Sequence, residues 1–521
     1  MMSVKDSTIS YSLEREEKNI VKFNDALDLT GFGKFNVWMT VLCGIMATAI
    51  VLETMGFSYI LPAAQCDLGL TLTQKGWVGA IPFVGLILSS QFWGFMADTR
   101  GRRKILMISM TLGCTCSIIS SFSPNLITFA ILRLFAAALM SAANNVIYPY
   151  YGEFAPKAYL DTMVSVLASI AMFSTGVSTL IAWGILSLDF DLPIAFLGIS
   201  YKPWRLMVVC FAFPFILATV ALFQAPESPK YLMSQGENEK ALKIVRSMYR
   251  INTGKDESTF KVDELILDDM DTLGLKNVSF WRSLKSQTVP LFRPPHIKYM
   301  VIFFFLNFGV FACANAFFVW MPDTINRFYV GLEEIDSENK IFCELMGVRS
   351  EREKDDIQNS TETLVCNDSL NVETYPMMLI ITCVLGFANI FLAFSLRFIG
   401  KKPVLMCNLA LCCVSALIMN WVQAPWVSWG LLVVIQSCII LIGILNAYAV
   451  EIFPTNYRGM AVSLTLMFGR LGAVAGTNVV GYIMEVMCSA NFYGAAFLFL
   501  VCFGCTFLLP TEKRRPESTR L

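Results

Sequence analysis

Two charges stand inside long apolar stretches, and they pose the first chemical question. Glu53 falls within 35–61 and Arg470 within 459–485. A carboxylate at membrane depth is costly and usually faces a partner or a wet cavity. There it could take up a proton or a cationic group. Arg470 is the one basic residue deep in its stretch. Turned toward a cavity, it would hold an anion or a carboxylate. Helical spacing puts it on a face with Val474, Thr477 and Gly481,. The same spacing leaves Gly472 and Gly476 on another face, where they allow close helix packing,. Glu53 and Arg470 could also pair with each other and exchange partners when a solute binds.

Uncharged polar groups add softer candidates. Arg133, Ala137, Met140, Asn144 and Tyr151 recur along one helical stripe, with Asn144-Asn145 a polar pair inside a span. Asn307 and Asn315 lie near Phe317 and Trp320, and Asn446 lies near Tyr448. A few polar groups among aromatics suit a small amphipathic or polyhydroxy solute. A different constellation is short and charged: Gly94, Asp98, Gly101, Arg102 and Arg103 within ten residues. Gly101 permits a sharp bend. Its basic neighbours could pair with Glu153. Asp98 could face the positive end of a later helix that begins near Met460.

Covalent and metal chemistry find little to work with. The chain has one histidine, His296, expected at a membrane interface, and most of its 16 cysteines sit in apolar runs,. No Gly-x4-Gly-Lys-Ser/Thr loop is present to drive ATP hydrolysis,. No enzyme activity, cofactor or metal site is expected.

The elements that must position these residues follow from composition. Of 521 residues, 55% are apolar and 15% charged, against roughly 25% charged in a soluble domain. Mean hydropathy is +0.58. A soluble fold could not hide that much apolar surface. Forty basic residues balance forty acidic ones, so nothing recruits nucleic acid,. The expectation is an all-α membrane protein with twelve spanning helices, its partner the lipid bilayer. Charge-free runs at 76–97, 105–132, 162–188, 206–226, 299–322, 374–396, 403–450 and 486–511 supply most of them. The boundaries read as an N-terminal segment 1–34, a first half 35–223, a linker 224–297, a second half 298–510 and a tail 511–521.

Short-loop charges set the orientation. Arg100, Arg102, Arg103, Lys104, Lys157, Arg397, Lys401, Lys402 and Arg458 share one side, whereas Lys75, Lys202 and Arg205 share the other. The first, basic side is expected to be cytosolic, with both termini and the linker; 237–251 reads there as a surface amphipathic helix. No cleavable signal peptide is expected. Loop 323–375 then faces outside or a lumen. It carries sequons at Asn359 and Asn367, and Cys343 and Cys366 are expected to close a disulfide there,. A sequon at Asn277 falls on the cytosolic side and should stay unused.

The halves repeat. Asp98 through Arg103 and Arg397 through Lys402 are offset by 299 residues, and Glu153-Phe154-Ala155-Pro156 and Glu451-Ile452-Phe453-Pro454 by 298. Two landmarks at one offset predict two pseudo-symmetric six-helix halves. Glu451 and Arg458 become the second-half counterparts of the charged turn. Arg397 stands where the first copy has Asp98, so the two turns should differ in strength.

These motifs resemble the major facilitator superfamily. The match rests on Gly94, Asp98, Gly101, Arg102 and Arg103, on Arg133, on Pro226-Glu227-Ser228-Pro229-Lys230, and on Glu451 through Gly459. The last two resemble its sugar-porter and organic-ion branches. A narrower resemblance, over roughly 31–510, is to synaptic vesicle glycoprotein 2-like transporters. It is carried by Gly31-Phe32-Gly33-Lys34-Phe35, Leu61-Pro62-Ala63-Ala64, Trp93-Gly94, Trp204-Arg205, Phe213-Pro214 and Phe468-Gly469-Arg470-Leu471-Gly472. The chain departs from that pattern at Ile50, where an acid three residues before Glu53 is usual, and at Leu160, where Arg is usual. Its long acidic loop is also shorter than in the vertebrate vesicle proteins.

The resemblance implies alternating access, with the charged turn, together with Arg133, Glu153, Glu451 and Arg458, as a gate that holds the cytosolic side shut and opens as the halves rock. A small organic ion or sugar-like solute would bind near the midplane, with a proton or cation as a possible coupling partner. A monomer in the plasma membrane or a secretory or synaptic-type vesicle is expected. The competing reading is a trafficking or regulatory protein that keeps the fold without transport.

Overall fold

The structure, a computed structural model, describes residues 19–267, 280–334, 340–346, 370–453 and 455–510. Among them are twelve helices long and apolar enough to cross a membrane. The first six are α1 (Lys34–Ala63), α2 (Leu72–Arg100), α3 (Arg102–Ser120), α4 (Leu126–Gly152), α5 (Lys157–Leu186) and α6 (Pro203–Leu222). The second six are α7 (His296–Leu332), α8 (Thr374–Leu392), α9 (Lys401–Ile418), α10 (Pro425–Ile452), α11 (Arg458–Met484) and α12 (Cys488–Phe507). Their outward faces carry Leu88, Phe391 and Phe497, each about two-thirds exposed or more, as a hydrocarbon solvent requires,.

Local sequence explains where these helices start and stop. Thr71 caps α2, its hydroxyl accepting from the Gln74 N–H while the Gln74 side chain accepts from the Thr71 N–H,. Asn125 caps α4 by accepting from the Thr128 N–H at 2.9 Å,. Pro203 and Pro425 open α6 and α10, where a missing N–H costs nothing,. Gly101 and Gly400 take φ of +100° and +89° and make the same turn in the two halves. A β-carbon at Gly101 would also run into the Glu227 carboxylate.

Two apolar clusters show how the halves meet. One holds the basic-side part of the first half, from Phe23 and Met39 to Met110 and Ala218. The other runs through the second half and also takes in Leu61, Val78, Phe83 and Trp204 from the opposite end of the first. The halves are therefore fused into one core on the acidic-loop side. Ring contacts agree: Trp183 of α5 stacks on Tyr375 of α8, and Phe173 meets Phe387 edge-on. α7 and α11 form the tightest seam, with Gly472 and Gly476 against the carbonyls of Phe308 and Ala312.

Outside the spans, the N-terminal segment and the linker build one small cap. Strand β1 (Ile20–Lys22) pairs in parallel with strand β4 (Glu264–Ile266), Val21 opposite Leu265. β2 (Leu192–Ile194) and β3 (Ile199–Tyr201) form a separate hairpin before α6. The linker helix Asn238–Thr253 covers the expected 237–251 and buries Ala241, Leu242, Val245 and Met248 at helical spacing,. Its Asn252 donates to the Gly31 carbonyl and to Asn36, and accepts from the Phe35 N–H.

The expected Cys343–Cys366 disulfide is corrected. Cys343 is bonded to Cys488, 145 residues away. The short helix 342–346 lies beside the start of α12, so the partner thiol is distant in sequence. Cys366, Asn359, Asn367 and Asn277 lie outside the described residues.

Candidate functional site

Glu53 and Arg470 do not meet. Glu53 of α1 is buried against Arg133 of α4, with Arg133 Nη2 2.9 Å from Glu53 Oε1. Ser117 of α3 closes the cluster, donating to Glu53 Oε2 at 3.0 Å and accepting from Arg133 Nη1 at 2.8 Å. The guanidinium also lies over the Phe57 ring. Three helices of the first half thus compensate the carboxylate internally. Arg133 was expected in the cytosolic gate, and this placement overturns that. It sits near the acidic-loop end of α4, 20 residues before Glu153, or about 30 Å along a helix,.

Arg470 is the opposite case. It is 5% exposed, and it reaches from α11 across to the first half. Its Nη1 donates to the Leu86 carbonyl of α2, and its Nη2 to Asn145 Oδ1 of α4, both at 3.4 Å. Among the described residues no carboxylate lies within ion-pair distance of it. Asn145, rather than Asn144, is the residue that faces it. The other end of the Asn145 amide donates to the Ser90 carbonyl. One position on a helix turns a side chain by about 100°, so of the Asn144-Asn145 pair it is Asn145 that reaches Arg470,. Asn144 is half-buried beside it.

The remaining expected binding residues divide. Trp320 donates from Nε1 to the Thr477 carbonyl at 2.9 Å, and the Thr477 hydroxyl donates to Ala473. Both belong to the α7–α11 seam, beside Gly79 of α2. Asn307 and Asn315 each donate to a carbonyl one turn earlier, at Phe303 and Phe311. Asn307 Oδ1 and Asn446 Oδ1 are buried with no partner among the described residues. Tyr448 donates to the Pro510 carbonyl and ties α10 to the chain beyond α12.

The charged turn is built within the first half. Arg102 pairs with Glu153 at 2.9 Å, and Ser228 donates to the same carboxylate. Burial pushes the Glu153 carboxyl up, which Arg102 and Ser228 offset in part. Glu227 accepts from the N–H groups of Arg103 and Lys104, and the Arg103 guanidinium donates to the Leu222 and Phe223 carbonyls. Glu227 and Ser228 were visible as a motif and not as site residues. Asp98 is 60% exposed and pairs with Arg102 at 3.4 Å, instead of facing the start of α11. Gly94 has open space around it. In the second half, Lys401 pairs with Glu451, whose side chain is half exposed. Arg458 is half-buried. The Arg397 side chain lies outside the described ones.

An ion pair on the other side joins the halves. Lys75, counted in sequence as a loop charge, is buried in the first turn of α2 and lies 3.5 Å from Asp323 of α7. Arg327 holds the second oxygen of Asp323 at 2.8 Å. Arg205, also counted as a loop charge, is buried in α6 and pairs with Asp67 at 2.7 Å.

Two six-helix halves, joined at one side of the membrane and bridged by the buried Arg470, define a multi-pass membrane protein with a two-half, twelve-helix architecture. The chain belongs to the Major Facilitator Superfamily, whose sequence profile matches residues 41–334. It is 26% identical over 356 residues to synaptic vesicle glycoprotein 2A of Homo sapiens, covering 63% of this chain and 46% of that protein. Synaptic vesicle glycoprotein 2C of Mus musculus is 25% identical over 338 residues, covering 60% and 45%. The chain thus spans about half the length of the curated relatives it matches. The inward open conformation of the xylose transporter XylE from E. coli superposes with a TM-score of 0.66 at 14% identity, covering 92% of this chain and 97% of that one. A partially occluded inward open form of the same transporter gives 0.64, also at 14% identity, covering 92% and 100%. At that identity the likeness establishes the fold.

Proposed function

We propose that this protein moves a small polar solute across its membrane by alternating access, with Arg470 as the group that receives a negative charge on the solute. The observation that carries this is the buried Arg470, bonded at long distance to a carbonyl and an amide of the other half. A buried cation without a counter-charge is expensive, and an anionic group arriving between the halves relieves that cost. It would also bias the equilibrium between states, because its contacts span both halves. The favoured solute is an organic anion or zwitterion. Asn145, Asn307, Asn315 and Asn446 would supply neutral hydrogen bonds, which also suit a sugar-like solute. Glu53, held by Arg133 and Ser117, is the proposed site of a coupling proton: protonation releases Arg133. Thr477 and Trp320 would shape the seam.

The basic side is proposed as cytosolic. The Arg102–Glu153–Glu227 network would brace the first half as it rocks, and Asp98 and Arg458 would engage when the cytosolic side closes. Lys75–Asp323 would act as the outer latch. The protein would work as a monomer in the plasma membrane or a vesicle membrane.

The test has two parts. Purified protein is screened against a metabolite panel for shifts in unfolding temperature, since a ligand of the folded state raises it. Uptake of each hit is then measured in proteoliposomes for the parent, Arg470→Ala and Glu53→Gln. Loss of uptake in both variants, at parental folding, is expected; parental uptake by both sinks the site. The second reading, a vesicle or plasma-membrane trafficking or regulatory protein, is favoured by Ile50 in place of an acid and by likeness to synaptic vesicle glycoproteins. No stabilising solute across the panel would favour it.

A further inference from the structure

The segment 280–298 carries Arg282, Lys285, Arg293 and Lys298 and no acidic residue. It folds as a helix, Phe280–Thr288, followed by a 3₁₀ turn, Val289–Phe292, and runs into α7 at His296. The helix packs on α11, and the turn packs on α7 and α11. The segment is two-faced. Leu291 is fully buried and Leu284 half-buried against the bundle. The opposite face exposes Trp281 at 73%, with Val289 and Phe292 also exposed. Residues 281, 285 and 289 are four apart, so one outward stripe alternates an aromatic, a cation and an apolar group. Arg282 and Arg293 flank it, exposed.

This face sits where the chain enters the membrane. Tryptophan there prefers the headgroup level, with its ring in the acyl boundary and its N–H in the wet layer. Basic side chains beside it gain from negative headgroups and lose that gain within a Debye length. Elsewhere on the same side, the linker helix Asn238–Thr253 carries Glu239 among its bases and buries Ala241, Leu242, Val245 and Met248. The 280–298 segment has no acid and exposes a tryptophan beside its cations.

We propose that residues 280–298 form a lipid-binding strip that rests on the cytosolic leaflet and recognises anionic headgroups. Trp281, Val289 and Phe292 enter the acyl boundary. Arg282, Lys285 and Arg293 meet the headgroup phosphates and carboxylates. Lys298 joins them from the first turn of α7. Because the strip is packed on α11, which carries Arg470, anionic lipid holds the second half by its basic-side edge. The choice of leaflet rests on the orientation given above; the chemistry of recognition does not.

The experiment uses full-length protein in nanodiscs of pure phosphatidylcholine, and of phosphatidylcholine with 30% phosphatidylserine. Hydrogen exchange of peptides covering 280–293 is compared between them. Exchange is expected to slow at least about tenfold in the anionic membrane, and the difference to vanish in Arg282→Gln/Lys285→Gln/Arg293→Gln. Equal exchange of the parent in both membranes overturns the proposal. So does slowing that survives in the triple variant, since the protection would then come from other residues. Exchange of the linker helix 238–253 serves as the folding control, and the parental comparison decides the matter if the variant fails it. Both leaflets have the same composition and no uptake is measured, so an error in orientation or in the transport reading leaves this result unchanged.

Discussion

The buried charges of the two halves are handled in opposite ways. In the first half, Glu53 and Arg133 compensate each other at 2.9 Å, with Ser117 bonded to both. In the second half, Arg470 has no such partner and leans on the first half through Leu86 and Asn145. The first arrangement stabilises one conformation of a three-helix unit. The second costs stability and couples the halves, because its contacts break whenever they separate. The charged turns repeat the contrast. Both halves keep the glycine turn, at Gly101 and Gly400. Only the first surrounds it with a buried acid, Glu153, and a half-buried one, Glu227; the second relies on Lys401 and the half-exposed Glu451. Duplication preserved the backbone path, and the electrostatics diverged on it.

The contrast can be broken first where it is strongest. Arg133→Ala strands the Glu53 carboxylate in the core and should cost about 3–5 kcal/mol. Adding Glu53→Gln should recover much of that loss. Thermal unfolding of the two single variants and the double variant, in one detergent, gives the coupling; additive losses would mean that the pair is not a unit.

The charged turns come next. Arg102→Ala leaves Glu153 buried with Ser228 alone and should cost about 1–3 kcal/mol. Lys401→Ala, at an exposed pair, should cost about 0–1 kcal/mol. Equal losses would remove the asymmetry between the turns.

A smaller stability change is expected at the outer latch, because Arg327 remains on Asp323 when Lys75 is replaced. Lys75→Met should show itself in access instead. A cysteine introduced at Gly79, beside Val319 and Thr477, should react faster with an impermeant thiol reagent from the acidic-loop side in the Lys75→Met background. An unchanged rate would show that the latch does not hold that side closed.

Arg470 should give the smallest stability change and the largest functional one. Arg470→Gln should leave the unfolding temperature unchanged or raised, since an uncompensated buried cation is lost. A fall as large as that of Arg133→Ala would place Arg470 among the compensated charges and erase the contrast.

Much of the fold was legible in the chain because hydrocarbon imposes a simple rule. Every backbone group must be satisfied within the span, so apolar length translates directly into helices. The two motif pairs near an offset of 300 revealed the halves for the same reason: glycine and charge can recur in a turn only where the backbone turn recurs. Gly472 and Gly476 were read as a packing face, and they do lie against α7.

Partners were much less legible. Sequence placed Glu53, Arg133 and Arg470 at membrane depth and could not choose among their pairings. Distance along a helix separates Arg133 from the turn it was grouped with, yet only the packing of α1, α3 and α4 brings Glu53 to it. Lys75 and Arg205 looked like loop charges because they flank apolar runs, and tertiary contacts with Asp323 and Asp67 bury them. Cys343 found Cys488 through space, past a nearer cysteine in sequence. Composition and periodicity act on each segment alone, so the sequence by itself determined the spans, the repeat and the turns. Which charge compensates which depends on helix rotation and on the approach of segments hundreds of residues apart. Those were decided by the tertiary structure, where a 100° turn on one helix exchanges Asn144 for Asn145 beside Arg470.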